Sequence, residues 1–242
     1  MQYWGITDPG CVRTQNQDTY KIEKLDRSTL LCVVCDGMGG AKSGNVASTL
    51  ASDVFCQEIR SSWKKGLDEK DVDDMLRRAI KLANFTVYDQ AKEVEDFRGM
   101  GTTLVAVLLQ GLHATIVHVG DSRAYHVGAK GIRLITTDHT LVQMLVKRGE
   151  MTQEEAKLAP DKNLITRAIG TEPSVLCDLH HLEMARDEHL LLCTDGLSNL
   201  VDEQEILFEI VHGQKLECCQ RLLAIAKNRG APDNVTSVLV RV

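Results

Sequence analysis

The sequence predicts an α+β fold in which antiparallel sheets pack on each other with helices outside. Three observations lead there. Short apolar runs bounded by turn residues recur along the chain and read as buried strands, as in Leu30–Cys35 and Leu190–Cys193. Pairs of helical patterns separate clusters of such strands instead of alternating with them one by one. Finally, residues 102–127 hold three consecutive strand patterns with short turns, which a doubly wound parallel sheet would not contain.

Strand patterns open the chain at residues 2–7, up to the Pro9-Gly10 turn, and continue at 19–24 and 30–35. Two helices follow. The first carries Val46, Ala47, Leu50, Ala51, Val54, Phe55 and Ile59 on one face, and the second carries Val72, Met75, Leu76, Ala79, Ile80, Ala83 and Val87. The period then shortens to that of strands at 102–109, 114–119 and 122–127, read as antiparallel neighbours. Shorter helical stretches at 140–149 and 153–159 interrupt the sheet, and strands resume at 176–183 and 189–194. Helices at 202–211 and 216–228 precede a closing strand at 235–242. No Gly/Ser/Pro linker, low-complexity tract or repeat divides residues 1–242, so one domain is expected.

The bulk composition is that of a soluble globular protein: 43% hydrophobic, 26% charged, formal charge −6. The scattered Lys and Arg argue against nucleic-acid binding, which needs clustered cations. The amino terminus has no signal-peptide pattern, and no apolar run is long enough for membrane insertion, so a cytoplasmic location is expected. The eight cysteines read as reduced, mostly buried thiols. In the pair Cys32-x-x-Cys35, strand alternation puts the thiols on opposite faces, so they are not placed to share a metal. Without a coiled-coil repeat, a monomer is the default.

The chemistry concentrates at four aspartates. Asp36 follows the run 30–35, Asp121 follows 116–120, Asp195 follows 190–194, and Asp233 stands just before 235–240. Two of them, Asp36 and Asp195, lie in Asp-Gly pairs. An Asp-Gly pair alone is an ordinary turn former. Carboxylates at the mouths of several strands form an oxygen-only donor set suited to Mg2+ or Mn2+, whereas zinc favours His and Cys. The glycines in Asp36-Gly37-Met38-Gly39-Gly40 let the backbone come close to a ligand, so Asp36 could bridge two cations with the Gly37 carbonyl as a further donor. Antiparallel pairing would bring Asp233 to the rim that holds Asp36 and Asp195. Asp121 is the least defined of the four, because pairing with Arg123 or capping its turn would also account for it.

Two adjacent divalent ions can activate a water for in-line attack on phosphorus. Such a reaction also needs a cation on the non-reacting phosphate oxygens. Arg13 is the candidate, since its planar fork matches phosphate geometry. Asp18 could accept hydrogen bonds from water held at the metals. His139 reads as a structural or surface histidine.

These residues fall within segments that resemble the metal-dependent Ser/Thr protein phosphatases of the protein phosphatase 2C-like class, above all its compact bacterial branch. The segments are Val12-Arg13 through Asn16-Gln17-Asp18, Val34-Cys35-Asp36-Gly37-Met38-Gly39-Gly40, Gly101-Thr102-Thr103-Leu104, Val119-Gly120-Asp121-Ser122-Arg123, Thr137-Asp138-His139-Thr140-Leu141-Val142, Leu164-Ile165-Thr166-Arg167-Ala168-Ile169-Gly170, Cys193-Thr194-Asp195-Gly196-Leu197 and Pro232-Asp233-Asn234-Val235-Thr236. They occur in the family's order and span nearly the whole chain.

The resemblance implies a central β-sandwich of two antiparallel sheets flanked on each side by helices. It implies a binuclear Mn2+ or Mg2+ centre with Asp36 bridging and Gly37, Asp195 and Asp233 completing the protein ligands. A third, weaker ion would sit at Asp121 and Asp195. Arg13 would hold the phosphate, Asp18 would orient water, and Asn234 would be a polar neighbour of the ligands. Residues of about 140–162 would form a flap beside the site. The implied substrates are phosphorylated proteins, including a Ser/Thr protein kinase that the enzyme opposes. Two positions depart from many eukaryotic relatives. Met38 stands where a proton-donating histidine is common, and Gln17 stands where Glu is common. A catalytically silent phosphoprotein-binding module and a small-molecule phosphohydrolase are the alternatives.

Overall fold

The computed structural model describes residues 1–40, 43–213 and 217–242. Eleven strands form two antiparallel sheets. One sheet contains β2 (Asp18–Lys24), β3 (Thr29–Met38), β5 (Leu104–Gln110), β6 (His113–Val119) and β9 (Asp178–Glu183) in that order, with the two-residue β4 (Gly101–Thr102) paired to the end of β3. The other runs β1 (Gln2–Asp8), β11 (Val235–Arg241), β10 (His189–Cys193), β7 (Arg123–Gly128) and β8 (Gly131–Leu134).

Strand alternation sorts the side chains into layers. Leu30, Cys32 and Val34 meet Leu190, Leu192, Val238 and Val240 between the sheets. Their neighbours Leu31, Val33 and Cys35 face the other way, against α1 (Gly44–Ser62) and α2 (Glu69–Glu93). On the second sheet, Leu191, Cys193 and Leu239 pack under α5 (Asp195–Ser198), α6 (Glu203–His212) and α7 (Cys218–Asn228). The order is helix, sheet, sheet, helix, as expected. Cys32 and Cys35 do lie in different layers.

α2 starts at an Asp68 cap whose side chain accepts from the Asp71 amide, and α6 starts at an Asp202–Glu205 capping box. Two short helices, α3 (Leu141–Lys147) and α4 (Gln153–Leu158), begin at Thr140 and Thr152 side-chain caps. No helix among the described residues is long and apolar enough to cross a membrane.

Three expectations need correction, and two short elements add to them. The strand expected to end before Asp36 runs through Met38, so Asp36 lies inside β3, where pairing with Gly101–Thr102 carries the ladder past it. The pattern at 122–127 is not a hairpin neighbour of 114–119. The chain crosses at Gly120-Asp121-Ser122 into the other sheet, where β7 pairs with β10. Gly120 takes a φ of +107°, a left-handed backbone that suits glycine. The strand expected from 176 begins at Asp178. The short β8 and α5 carry too few residues for a periodic signal and were not anticipated. The helix expected from 216 is described from Cys218; position 216 lies outside the described residues.

Candidate active site

The end of the sandwich where β3, β10 and β11 meet gathers the aspartates singled out in the sequence. Asp18, the first residue of β2, stands opposite Asp36 in the β2–β3 ladder. Across the sandwich, β10 and β11 pair antiparallel, and the Thr194 amide donates to the Thr236 carbonyl at 3.1 Å. That pairing brings Asp195, just past β10, beside Asp233, just before β11. Asp36 is not a strand neighbour of either, because it belongs to the other sheet and meets them across the gap. Asp121 reaches the same rim because its turn crosses between the sheets.

Local structure fixes each position. The Asp36 amide donates to Thr103 Oγ1 (2.9 Å), and its carbonyl accepts from the Thr103 amide (2.9 Å) and Thr102 Oγ1 (2.8 Å). A Cβ on Gly37 would collide with the backbone carbonyls of Gly44 and Gln17, and one on Gly196 with the Asn234 carbonyl, so only glycine fits the close approaches at both Asp-Gly pairs. Asp195 opens the short helix α5, and its carboxylate accepts from Asn199 Nδ2 at 3.0 Å.

The electrostatics are those of crowded, poorly solvated carboxylates. Burial, reinforced by Asp18, Asp195, Asp121 and Asp233, holds the Asp36 carboxyl well above the usual range. Burial lifts Asp18 to about 7; hydrogen bonds from Thr236 and Thr194 pull it down, while Asp195 and Asp233 push it up. Burial, with Asp195 and Asp138 nearby, raises Asp121 to about 8. Asp195 is also raised, by burial and Asp233. Asp18 Oδ2 accepts from Thr194 Oγ1 (2.9 Å) and Thr236 Oγ1 (2.7 Å), leaving Oδ1 buried without a hydrogen-bond partner. Asp121 Oδ1 is likewise buried and unpartnered.

Arg123 pulls the Asp121 carboxyl down from nearby, too weakly to offset burial and Asp195, and its hydrogen bonds go elsewhere. Its guanidinium is engaged by Asp138, with Nη2 at 2.7 Å and Nε at 3.0 Å. Arg13 lies at the rim with Nη2 on Asp233 Oδ2 at 2.9 Å, both side chains substantially exposed. Asn234 is buried and does more than sit near the ligands. It accepts from the Gln17 amide (2.8 Å) and donates to the carbonyls of Pro9 (3.0 Å) and Gln15 (2.9 Å), tying down the segment that carries Arg13 and Asp18.

His139 is buried, stacked on His118 with ring centroids 4.5 Å apart, and accepts from the Gly120 amide through Nδ1 (3.1 Å). That is a structural placement behind the Asp121 turn. Thr194, Thr236, Thr102 and Thr103 were missed as site residues. All four lie inside the segments that carry the family resemblance, but strand propensity alone accounts for threonine there, so no role was assigned to their hydroxyls.

A cleft of about 570 Å³ opens beside Asp121 and Asp195, and its far wall includes Thr140, Gln143, Gln153 and Lys162. A smaller cavity of about 150 Å³ joins Arg13, Asp233 and Asp195 to Asn163. Helices α3 and α4 thus border the acidic rim.

The donor set fits hard divalent cations. It consists of oxygens, includes two buried unpartnered carboxylate atoms, and carries like charges that Arg13 and Arg123 leave largely uncompensated. An acidic rim beside an open cleft on a two-sheet sandwich has the donor chemistry that metal-dependent hydrolases use.

Comparison with known proteins narrows the class. The protein phosphatase 2C family model matches residues 12–228. The serine/threonine phosphatase stp of Listeria monocytogenes is 34% identical over 239 residues, covering 97% of this chain and 93% of that protein. The serine/threonine protein phosphatase PstP of Mycobacterium tuberculosis is 35% identical over 245 residues, covering 100% of this chain and 45% of that longer protein. Among solved structures, the serine/threonine phosphatase of S. agalactiae superposes with a TM-score of 0.92 at 32% identity, covering 100% of this chain and 99% of that one. Stp1 from Staphylococcus aureus gives 0.91 at 35% identity, covering 100% and 94%. The chain belongs to the protein phosphatase 2C family, as a bacterial serine/threonine protein phosphatase of this metal-dependent class.

Proposed function

We propose that the acidic rim is a binuclear Mn2+ or Mg2+ centre at which phosphoserine and phosphothreonine on proteins are hydrolysed. The observation that carries this reading is the pair of buried, unpartnered oxygens, Asp18 Oδ1 and Asp121 Oδ1, among carboxylates pushed toward protonation. Asp36, the Gly37 carbonyl, Asp195 and Asp233 would hold the two ions, and Asp121 with Asp195 would accommodate an accessory third. When bound, the ions supply an activated water nucleophile and neutralise charge on the phosphoryl group.

The chain's own residues do the rest. Arg13 spends one of its five N–H donors on Asp233 and retains the others for phosphate oxygens. Asp18, clamped through Oδ2 by two threonines, keeps Oδ1 as an acceptor for a water proton. Met38 has no proton to give, so a water, held at the ions or from bulk solvent, would supply the proton of the leaving alkoxide. Residues of about 140–162 act as a flap that meets the protein part of the substrate across the cleft. The phosphoproteins served include a Ser/Thr protein kinase that the enzyme opposes, and the enzyme works as a cytoplasmic monomer.

The test is manganese-dependent phosphate release from a phosphothreonine peptide, run beside phosphorylated metabolites at equal enzyme concentration. Preference for the peptide, abolished in Asp36→Ala and in Asp195→Ala while both variants keep their circular dichroism, is the expected result. Near-normal turnover in either variant would remove the proposed centre.

A further inference from the structure

A second cluster of metal-ligand chemistry lies far from the acidic rim, on the outer face of the β6–β9 ladder under the first turns of α2. Glu69 is the first residue of α2, and Asp73 follows one turn later on the same helical face. His113 opens β6 opposite Glu183 of β9, while His181 stands opposite Thr115. Strand alternation turns His113, Thr115, His181 and Glu183 to one face, the face on which Val117 and Leu179 pack toward α2. The sheet edge and the helix start therefore converge.

The ring nitrogens are already sorted into roles. His113 Nδ1 lies 2.7 Å from Glu183 Oε1, and a carboxylate oxygen can only accept, so Nδ1 carries the proton and donates. In the neutral ring this leaves the lone pair on Nε2, which lies 3.7 Å from Glu69 Oε2. His181 repeats the arrangement with its nitrogens exchanged. Its Nε2 is 3.3 Å from Asp73 Oδ1, close but without hydrogen-bond geometry, so that this buried oxygen has no hydrogen-bond partner, and its Nδ1 is 3.6 Å from the same Glu69 Oε2. One ligand atom from each of Glu69, His113 and His181 lies within 4.8 Å of the other two. The rings are stacked with centroids 6.0 Å apart. A carboxylate stands beside each histidine, hydrogen-bonded to His113 and within 3.3 Å of His181, and such carboxylates are the support that metal-binding histidines use.

We propose that His113, His181 and Glu69 form a binding site for a borderline divalent transition ion of the zinc class, with Glu183 and Asp73 as the residues that orient the histidines. Two imidazoles and one carboxylate select zinc-like ions over Mg2+, the reverse of the all-oxygen rim. Three protein ligands leave a coordination position to water, consistent with side chains that are 27%, 29% and 60% exposed for His113, His181 and Glu69. The six residue steps of β6 from His113 to Val119 put the site roughly 20 Å from the rim. The bound ion staples the start of α2 to the edge pair β6–β9.

The other histidine cluster, His118, His139 and Asp178, does not support the same proposal. His139 Nδ1 accepts from the Gly120 amide, and the Arg167 guanidinium lies 3.3 Å from Nε2, so one ring nitrogen is taken and a fixed cation stands at the other.

The experiment is calorimetric titration of the chelator-treated full chain with Zn2+ in excess Mg2+, repeated with Co2+ to read its d–d absorption. The expected result is one equivalent of Zn2+ in the wild type and in Asp36→Asn, lost in His113→Ala and in His181→Ala, with Mn2+-dependent phosphatase activity kept in both histidine variants. Glu183→Gln should weaken the site by about 10–100-fold without abolishing it. Glu69→Gln, at an exposed position, provides a variant with little risk to folding and should also lose the equivalent. The proposal is overturned if the wild type takes up no Zn2+ under these conditions, because the cluster is then an ion-pair network only. It is equally overturned if Zn2+ uptake survives in the histidine variants and disappears in Asp36→Asn, which would place the ion at the acidic rim.

Discussion

Asp18 and Asp36 face each other across the β2–β3 ladder, two carboxylates in register, and Asp195, Asp121 and Asp233 add their charges to that of Asp18 against Asp36. Burial and repulsion hold Asp18 up at about 7 and Asp121 at about 8, against an ordinary value of 3.8. A raised carboxyl binds its proton more tightly in the folded chain than in the unfolded one. The resulting stability is fully present below the unfolded value and is lost as pH rises through the folded one.

The metal-free protein should therefore lose thermal stability as pH rises from about 4 to about 8. Bound divalent ions replace the missing protons, so saturating Mn2+ should raise the Tm more at about pH 8 than at about pH 6. Differential scanning calorimetry with and without chelator checks this. A Tm gain that is flat or shrinks with pH would separate the carboxylate crowding from metal binding.

Arg13→Ala should raise KM for a phosphothreonine peptide with a smaller effect on kcat, because a positioning contact is lost while the acidic rim stays intact. Arg13→Lys should recover only part of the loss, since an ammonium group lacks the planar fork. Steady-state kinetics on the two variants decide it; an unchanged KM would take Arg13 out of phosphate binding.

Much of this site was legible in the sequence, and the failures share a cause. Asp36, Asp121, Asp195 and Asp233 stood out because each interrupts or borders an apolar run, a signal that survives without knowing the pairing. The sheet to which a strand belongs does not survive in the same way. The run 123–128 looks like a continuation of the meander, and only the crossing at Gly120–Ser122 sends it to the opposite sheet and Asp121 to the rim. Partner choice was likewise hidden: Arg123 is two residues from Asp121 yet takes Asp138, fifteen residues away. Thr194 and Thr236 matter through hydrogen bonds to Asp18 that span 176 and 218 residues of chain, so no local pattern could announce them.

Those two hydroxyls give the third prediction. Hydrogen bonds to the charged form pull the Asp18 carboxyl down, so Thr236→Val and Thr194→Val should each let it rise further. If Asp18 works as a carboxylate, the acidic limb of the kcat/KM profile moves to higher pH in both variants. A profile that loses height without moving would assign the threonines a packing role only.

Asn234 provides the last prediction, because its three side-chain hydrogen bonds reach the segment carrying Arg13 and Asp18 from a buried position. Asn234→Ala leaves the Gln17 amide and the Pro9 and Gln15 carbonyls without this partner. At roughly 1–3 kcal/mol for a buried group left unsatisfied, with water reclaiming part of the loss, a destabilisation of about 2–4 kcal/mol is expected. Denaturant unfolding measures that cost. Kinetics supply the functional half: a loosened 9–18 segment misplaces Arg13, so KM should rise as in Arg13→Ala, and the double variant Arg13→Ala/Asn234→Ala should raise it little beyond either single one. Fully additive losses in KM would mean that Asn234 acts on the site by a route other than Arg13.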